Sequence, residues 1–281
     1  MRQNLVDVRT ARSWLFVPGD RADRFIKATA SGADIVVCDL EDAVAADAKS
    51  AARDEVVRWL TGGAAACVRI NARGSPYYEA DVVALTGLPG LCTVMVPKAE
   101  DPRALTKLSD ALGPHTAVIA LVETGLGVHR AYDIAAARGV VRLAFGSIDF
   151  ALDVGADETD TPLLFARSAL VVASRAAGIA APVDGVTMTL DEVSAVETAA
   201  ATALSLGFGG KLCIHPRQVG AVNAAFRPSE ADIHRARRIL DSVTDGGAGR
   251  LDGQLIDRPV TERARLVLHR AGLIDTLDES K

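Results

Sequence analysis

Aromatic residues are scarce, with Phe, Tyr and Trp making up 4% of the 281 residues. Single-stranded nucleic acid is held on aromatic stacking platforms, and duplexes need a clustered basic face. Neither is present: 31 Lys and Arg stand against 36 Asp and Glu, a formal charge of −5. Long apolar runs are missing too; Ala117 to Val122 is among the longest, well short of the roughly 18 residues of a membrane span. Before Pro18 there is only the run Trp14-Leu15-Phe16-Val17, too short for a secretory signal core. Cys38, Cys67, Cys92 and Cys213 lie far apart, with no CxxC pair and no His at ligand spacing, so reduced core thiols are expected rather than disulfides or zinc. No GxGxxG follows a strand-like run and no GxxxxGK[ST] occurs, which leaves nicotinamide and P-loop nucleotides unsupported. These absences predict a cytoplasmic protein that works on small molecules, with no nucleic-acid and no membrane partner.

What is present is a globular composition, 49% apolar and 24% charged, arranged in an alternating order. Eight short apolar or β-branched runs recur: SWLFVPG, DIVVCDLED, ACVRINA, CTVMVPKAE, AVIALVET, VRLAFGSIDF, PVDGVTMT and GKLCIHP. Each reads as a strand buried on both faces, as in a parallel sheet covered by helices. Between them, stretches such as PRALTKLSDALG, GVHRAYDIAAARG and TPLLFARSALVVASRAAG show helical apolar spacing. Eight βα units predict a TIM (β/α)8 barrel over 1–226, with a doubly wound sheet as the alternative. A C-terminal extension, 227–281, follows. Its stretch TDGGAGRLDGQLIDRP reads as a flexible lid rather than a core element, ahead of a further helix.

In a barrel, chemistry sits at the C-terminal ends of strands, and the polar residues obey this. Glu41-Asp42, Arg69 and Asn71, Lys98 and Glu100, Glu123, Asp149 and His215 all close apolar runs. Glu123 and Asp149, on neighbouring strands, offer hard oxygens with no His or Cys beside them, the donor set of Mg2+. The plainer reading of Glu123 is a structural ion pair, although Gly125 and Gly127 open space for a ligand. Glu41 and Asp42 would orient metal-bound waters, with helix capping the rival role for Asp42. The fork of Arg69 suits a carboxylate or enolate oxygen, or it neutralises a neighbouring acid. Lys98 is either a Schiff-base lysine or a carboxylate partner, and His215 reads equally well as a core histidine. Arg21, Arg24 and Lys27 surround a helix start after the first strand, as a phosphate site or a solvated basic face.

Taken together, LFVPGDR (15–21), DLEDAV (39–44), VRIN (68–71), VPKAE (96–100), LVETGLG (121–127), FGSIDF (145–150), GGKLCIHPRQV (209–219) and GQLIDRP (253–259) resemble the β-subunit of citrate lyase and its stand-alone relatives, the CoA-ester lyases of the HpcH/HpaI aldolase group. The resemblance implies a TIM barrel using Mg2+ held by Glu123 and Asp149, with Glu41 and Asp42 near its waters. It further implies that Arg69 contacts the keto-acid or enolate oxygen, and that Arg21, Arg24 or Lys27 holds CoA phosphates. In such relatives the C-terminal segment crosses a subunit boundary, usually within a homotrimer, and an aspartate matching Asp257 completes the neighbouring site. Many of them carry Glu before the second metal ligand, where this chain has Ile148. The expected reaction is cleavage of a malyl-CoA or citramalyl-CoA type thioester into a 2-oxo acid and acetyl-CoA, or the reverse. A thioesterase on the same scaffold and a subunit serving an acyl carrier protein are the alternatives.

Overall fold

A strand that is apolar on both faces has no stable place at a sheet edge, and this chain removes the edges by closing the sheet. The computed structural model describes residues 7–243 and 249–274. Eight parallel strands run β1 (Ser13–Pro18), β2 (Ile35–Asp39), β3 (Ala66–Arg69), β4 (Leu91–Val96), β5 (Ala117–Val122), β6 (Val140–Phe145), β7 (Ala180–Asp184) and β8 (Gly210–Cys213). Each pairs with the next and β8 pairs back to β1, a closed TIM barrel that excludes the doubly wound alternative. The helices are α1 (Ala22–Thr29), α2 (Lys49–Thr61), α3 (Tyr78–Leu85), α4 (Pro102–Leu112), α5 (Gly125–His129), α6 (Ala131–Ala135), α7 (Ser147–Val154), α8 (Asp160–Ala176), α9 (Val193–Leu206) and α10 (Pro216–Ala225). GVHRAYDIAAARG, expected as one helix, is two, broken at Arg130.

Side chains pointing inward from alternate strand positions fill the barrel: Trp14, Ile35, Val37, Cys67, Met95, Ile119, Leu121 and Val183 are buried there together. The floor is polar, and its hydrogen bonds are met except at Arg142 Nη2. Arg142, fully buried on β6, donates through Nε to the Ala181 carbonyl at 2.6 Å and through Nη1 to those of Val8 and Ala11 at 3.0 and 2.6 Å. The thiols of Cys38, Cys67 and Cys213 are buried and unpaired, as expected, and burial pushes their pKa values up.

Two compact units divide the chain, Met1–Asn223 and Ala224–Lys281. In the second, α11 (Glu230–Asp241) opens with a capping box between Ser229 and Asp232. The stretch expected to be a lid is in part a hairpin, β9 (Gly249–Leu251) and β10 (Gln254–Ile256). Asp252 and Gly253 both take positive φ, 50° and 80°, the two-residue turn that suits a right-twisted hairpin. Nor is the stretch free of core residues: Ile256 is 2% exposed and packs with Ala236, Ile239, Ala264 and, on α12 (Arg258–Arg270), Leu268. Thr244 to Ala248, the remainder of the expected lid, lie outside the described residues.

The segment after β3 is tied down by one buried carboxylate on α3. Asp81, 0% exposed, accepts from the Asn71 backbone and side-chain amides at 2.9 and 2.7 Å and from Arg53 Nε at 2.8 Å. Asp81→Ala strands a buried amide and a largely buried guanidinium, and is expected to cost about 3 kcal/mol, read as a lower urea midpoint at unchanged slope.

Candidate active site

The C-terminal end of β2 carries a carboxylate that organises its surroundings. Asp39, 1% exposed, accepts from Arg69 Nε and Nη2 at 2.7 and 2.6 Å and from the backbone amides of Glu41 and Ala43 at 2.9 and 3.1 Å. The two residues face each other because Asp39 and Arg69 are register partners on adjacent strands. Lys49 Nζ adds bonds to the carbonyls of Leu40 and Glu41, fixing the turn after β2. Sequence reasoning passed over Asp39, and Arg69 is thereby a committed ion-pair partner. Its Nη1 alone points onward, 3.1 Å from Glu41 and 3.6 Å from Asp42. Its guanidinium also lies over the Phe16 ring at 4.8 Å.

A cavity of about 360 Å³ opens at this end of the barrel, and Asp39, Asp42, Arg69, Glu123 and Asp149 all line it. Glu123 closes β5 and is 2% exposed. Its Oε1 accepts from the Lys98 backbone amide at 2.7 Å, aimed there by the left-handed conformation of Lys98, φ 48°. Across the site, a Cβ at Gly146 would collide with the Glu123 side chain, so only glycine fits between β6 and this carboxylate. Burial, then the charges of Glu41 and Asp149, raise the Glu123 carboxyl to about 8 against the opposing Lys98 amide. Glu41 is raised as well, first by burial, with the charges of Asp42 and Asp39 adding to it. Its Oε2 is a buried oxygen with no hydrogen bond; Arg69 Nη1 is near but out of line.

Asp149, expected at the end of the sixth strand, lies instead in the first turn of α7, because β6 stops at Phe145 and Gly146 carries the chain away from the sheet. Among the described residues its carboxylate has no hydrogen-bond or ion-pair partner. Asp42 does not cap the helix beyond it, since α2 begins only at Lys49 with Ala48 at the cap. Gly125 and Gly127 do not open space for a ligand: the first donates to Asp153 at 2.7 Å and the second is buried against the Ala99 carbonyl. Lys98 Nζ sits 3.5 Å from Glu41. Burial would lower its pKa, yet Glu41, Glu123 and Asp42 together raise it, which keeps it an ammonium and disfavours the Schiff-base role. His215 Nδ1 accepts the Arg217 amide at 3.2 Å, at the start of α10.

The basic residues around α1 divide. Arg21 spends its fork on Asp23, at 2.9 and 2.8 Å, while Arg24 and Lys27 are exposed. In the second unit, Asp257 is exposed and caps α12, accepting from Val260 N at 3.3 Å. No helix among the described residues is long and apolar enough to cross a membrane.

Carboxylates raised by burial and then by one another's charge, with Glu123 and Asp149 outside any ion pair among the described residues, are a fitting bed for a hard divalent ion. Among the described residues no three His, Cys, Asp or Glu side chains form a ready cage. Two ligands with waters and substrate completing the sphere is the way Mg2+ is commonly bound.

Comparison with known proteins agrees with this geometry. The HpcH/HpaI aldolase/citrate lyase family profile matches residues 12–216. A citrate lyase subunit beta-like protein of Deinococcus radiodurans is 39% identical over 275 residues, covering 92% of this chain and 96% of its own. An L-malyl-CoA/beta-methylmalyl-CoA lyase of Cereibacter sphaeroides is 30% identical, covering 95% and 96%. The crystal structure of CitE from Mycobacterium tuberculosis in complex with magnesium, acetoacetate and coenzyme A superposes with a TM-score of 0.83 at 36% identity, covering 94% of this chain and all of that one. The chain belongs to the HpcH/HpaI aldolase/citrate lyase family.

Proposed function

We propose that the protein is a Mg2+-dependent carbon–carbon lyase. It cleaves a 3-hydroxy-carboxyacyl-CoA of the malyl-CoA or citramalyl-CoA type into a 2-oxo acid and acetyl-CoA, or condenses them. The observation that carries this reading is the pair Glu123 and Asp149, lining one cavity beside the unbonded oxygen of Glu41. Glu123 and Asp149 would hold the ion, with Glu41 and Asp42 on its waters. When bound, Mg2+ supplies Lewis acidity toward the carboxylate and hydroxyl oxygens of the acid half.

Cleavage takes the proton from the substrate hydroxyl, breaks the bond between its carbon and the thioester's α-carbon, and leaves the enolate of acetyl-CoA. Arg69, held rigid by Asp39, faces that negative charge with a guanidinium that needs no reorganisation. Asp257, delivered by a neighbouring subunit of a homotrimer, accepts that hydroxyl proton and passes it to the enolate carbon, which becomes the methyl of acetyl-CoA. Arg24 and Lys27 meet the CoA phosphates, and Arg21 joins them by exchanging Asp23. The thioesterase alternative and an acyl-carrier-bound substrate share this site; a released 2-oxo acid with intact acetyl-CoA separates the lyase from the first, and turnover of free CoA thioesters separates it from the second. The protein is expected to work in the cytoplasm.

Glu123→Ala and Asp149→Ala are each expected to fold and to lose about 10²- to 10³-fold in kcat, assayed on a panel of CoA thioesters with Mg2+ and with EDTA; normal turnover removes that residue from the scheme. Asp257→Ala should be equally inactive alone. Co-assembled with Glu123→Ala it should regain activity, because one subunit then supplies the ion site and its neighbour the aspartate; no recovery on mixing assigns Asp257 a purely structural role. The raised carboxyl of Glu123 also has a consequence for stability. Its folded value, about 8, lies above the ordinary 4.5, so between those values the folded chain holds a proton that the unfolded chain releases. Stability in metal-free buffer should fall as pH rises through that window and level off below it. Melting temperatures from pH 5 to 8 should show this slope, flattened in Glu123→Gln.

A further inference from the structure

The cavity is divided by chemistry around the barrel. Its charged residues Asp39, Asp42, Arg69 and Glu123 come from β2, β3 and β5 and the turns that follow them. The lining contributed by β6, β7, β8 and β1 and the segments after them is apolar apart from Ser147 and Asp149: Phe145, Ile148, Val186, Leu212, Ile214 and Phe16. Those strands are consecutive in the closed sheet, so the residues form one apolar arc facing the acids. Behind this arc lies a second cavity of about 300 Å³, to which Phe145, Ser147, Ile148 and Val186 also belong. These four are therefore the wall between the two spaces. The cations beyond that wall are not available to the first cavity: Arg167 and Lys211 are buried and bound to Asp184 at 2.7 and 3.3 Å.

We infer that the apolar arc is the subsite for an alkyl substituent on the 2-oxo acid, and that Ile148 is the residue that sets how long this substituent can be. The inference rests on the lyase reading and adds to it that the released 2-oxo acid carries an alkyl substituent seated on this arc. The acid's own carboxylate has the ion at Glu123 and Asp149. A second carboxylate, as in a 2-oxo dicarboxylic acid, would meet either desolvating apolar wall or acids whose two nearby cations are already engaged, Arg69 by Asp39 and Lys98 by Glu41. An alkyl group meets the same wall favourably. In a closed apolar pocket each methylene that fits or fails to fit changes discrimination by roughly 10- to 200-fold. Ile148 stands in the first turn of α7, next to Asp149 and half-buried. Trimming it opens the first cavity toward the second without touching the acids.

The test is condensation of acetyl-CoA with pyruvate, 2-oxobutyrate, 2-oxopentanoate or oxaloacetate under Mg2+, followed as new CoA thioester. The wild type should prefer the alkyl acids to oxaloacetate by about 10-fold or more in kcat/KM. Ile148→Ala should raise the 2-oxopentanoate to pyruvate ratio by about 10-fold or more, and Ile148→Val should raise it less. Preference for oxaloacetate, or a ratio that neither variant moves, overturns the subsite. If the wild type condenses none of the four, the lyase reading fails, and thermal shift with the same free acids and Mg2+ judges the subsite separately. Greater stabilisation by the alkyl acids, lengthened in Ile148→Ala, supports it; oxaloacetate stabilising most, or an order unchanged in the variant, overturns it.

Discussion

The Asp39–Arg69 pair determines the charge of everything else at the mouth of the barrel. A guanidinium among several acids would ordinarily neutralise the nearest ones, but Nε and Nη2 of this one are taken by the carboxylate that lies in register with it, leaving only Nη1 toward Glu41 and Asp42. Arg69 is locked with its charge already balanced. Burial works against the Arg69 cation, and Asp39, with the charges of Glu41 and Asp42, more than offsets it. The acids left over, Glu41, Glu123 and Asp149, then repel one another in a setting that penalises charge. An acidic site offset only in part, by Arg69 Nη1 and Lys98 Nζ at Glu41, is pre-set for a cation, with no need for a dedicated cage of ligands.

Most of the barrel was legible because parallel strands covered on both sides read as unbroken apolar runs, and all eight runs contain strands. Two helices were not. In α3, only Asp81 and Leu85 are buried, and a pair of adjacent valines, Val82-Val83, blurs any helical period. In α7, FGSIDF looks like a continuing strand; the change of direction rests on Gly146, where the space beside Glu123 admits no Cβ, a tertiary fact with no local signature. Asp39 was hidden for a related reason: its importance comes from register with Arg69, and register is a property of the closed sheet. Glu123 and Asp149, by contrast, stood out as carboxylates presented after apolar runs, and one cavity contains them both.

The extension shows the same limit from another side. Gly and Asp in the stretch before α12 signalled a loop, yet the pair Asp252-Gly253 is a hairpin turn that carries Ile256 into a core. Turn residues mark where the chain reverses, and the apolar residue that follows decides whether what reverses is ordered. The capping bond of Asp257 fits both the plain role of helix start and a carboxylate with one oxygen to spare.

The filled floor of the barrel bears on the sequence of events in a turnover. Trp14 and Arg142 occupy the lower end, and the carbonyls of Val8 and Ala11 are bonded beneath them. Traffic to the carboxylates is thereby confined to one doorway, the rim formed by the loops that follow the strands. Of two reactants sharing a single doorway, the one seated deeper arrives first and departs last. A compact oxo acid set against the barrel axis would thus wait for its bulkier companion to come and go, giving an ordered rather than a random kinetic scheme.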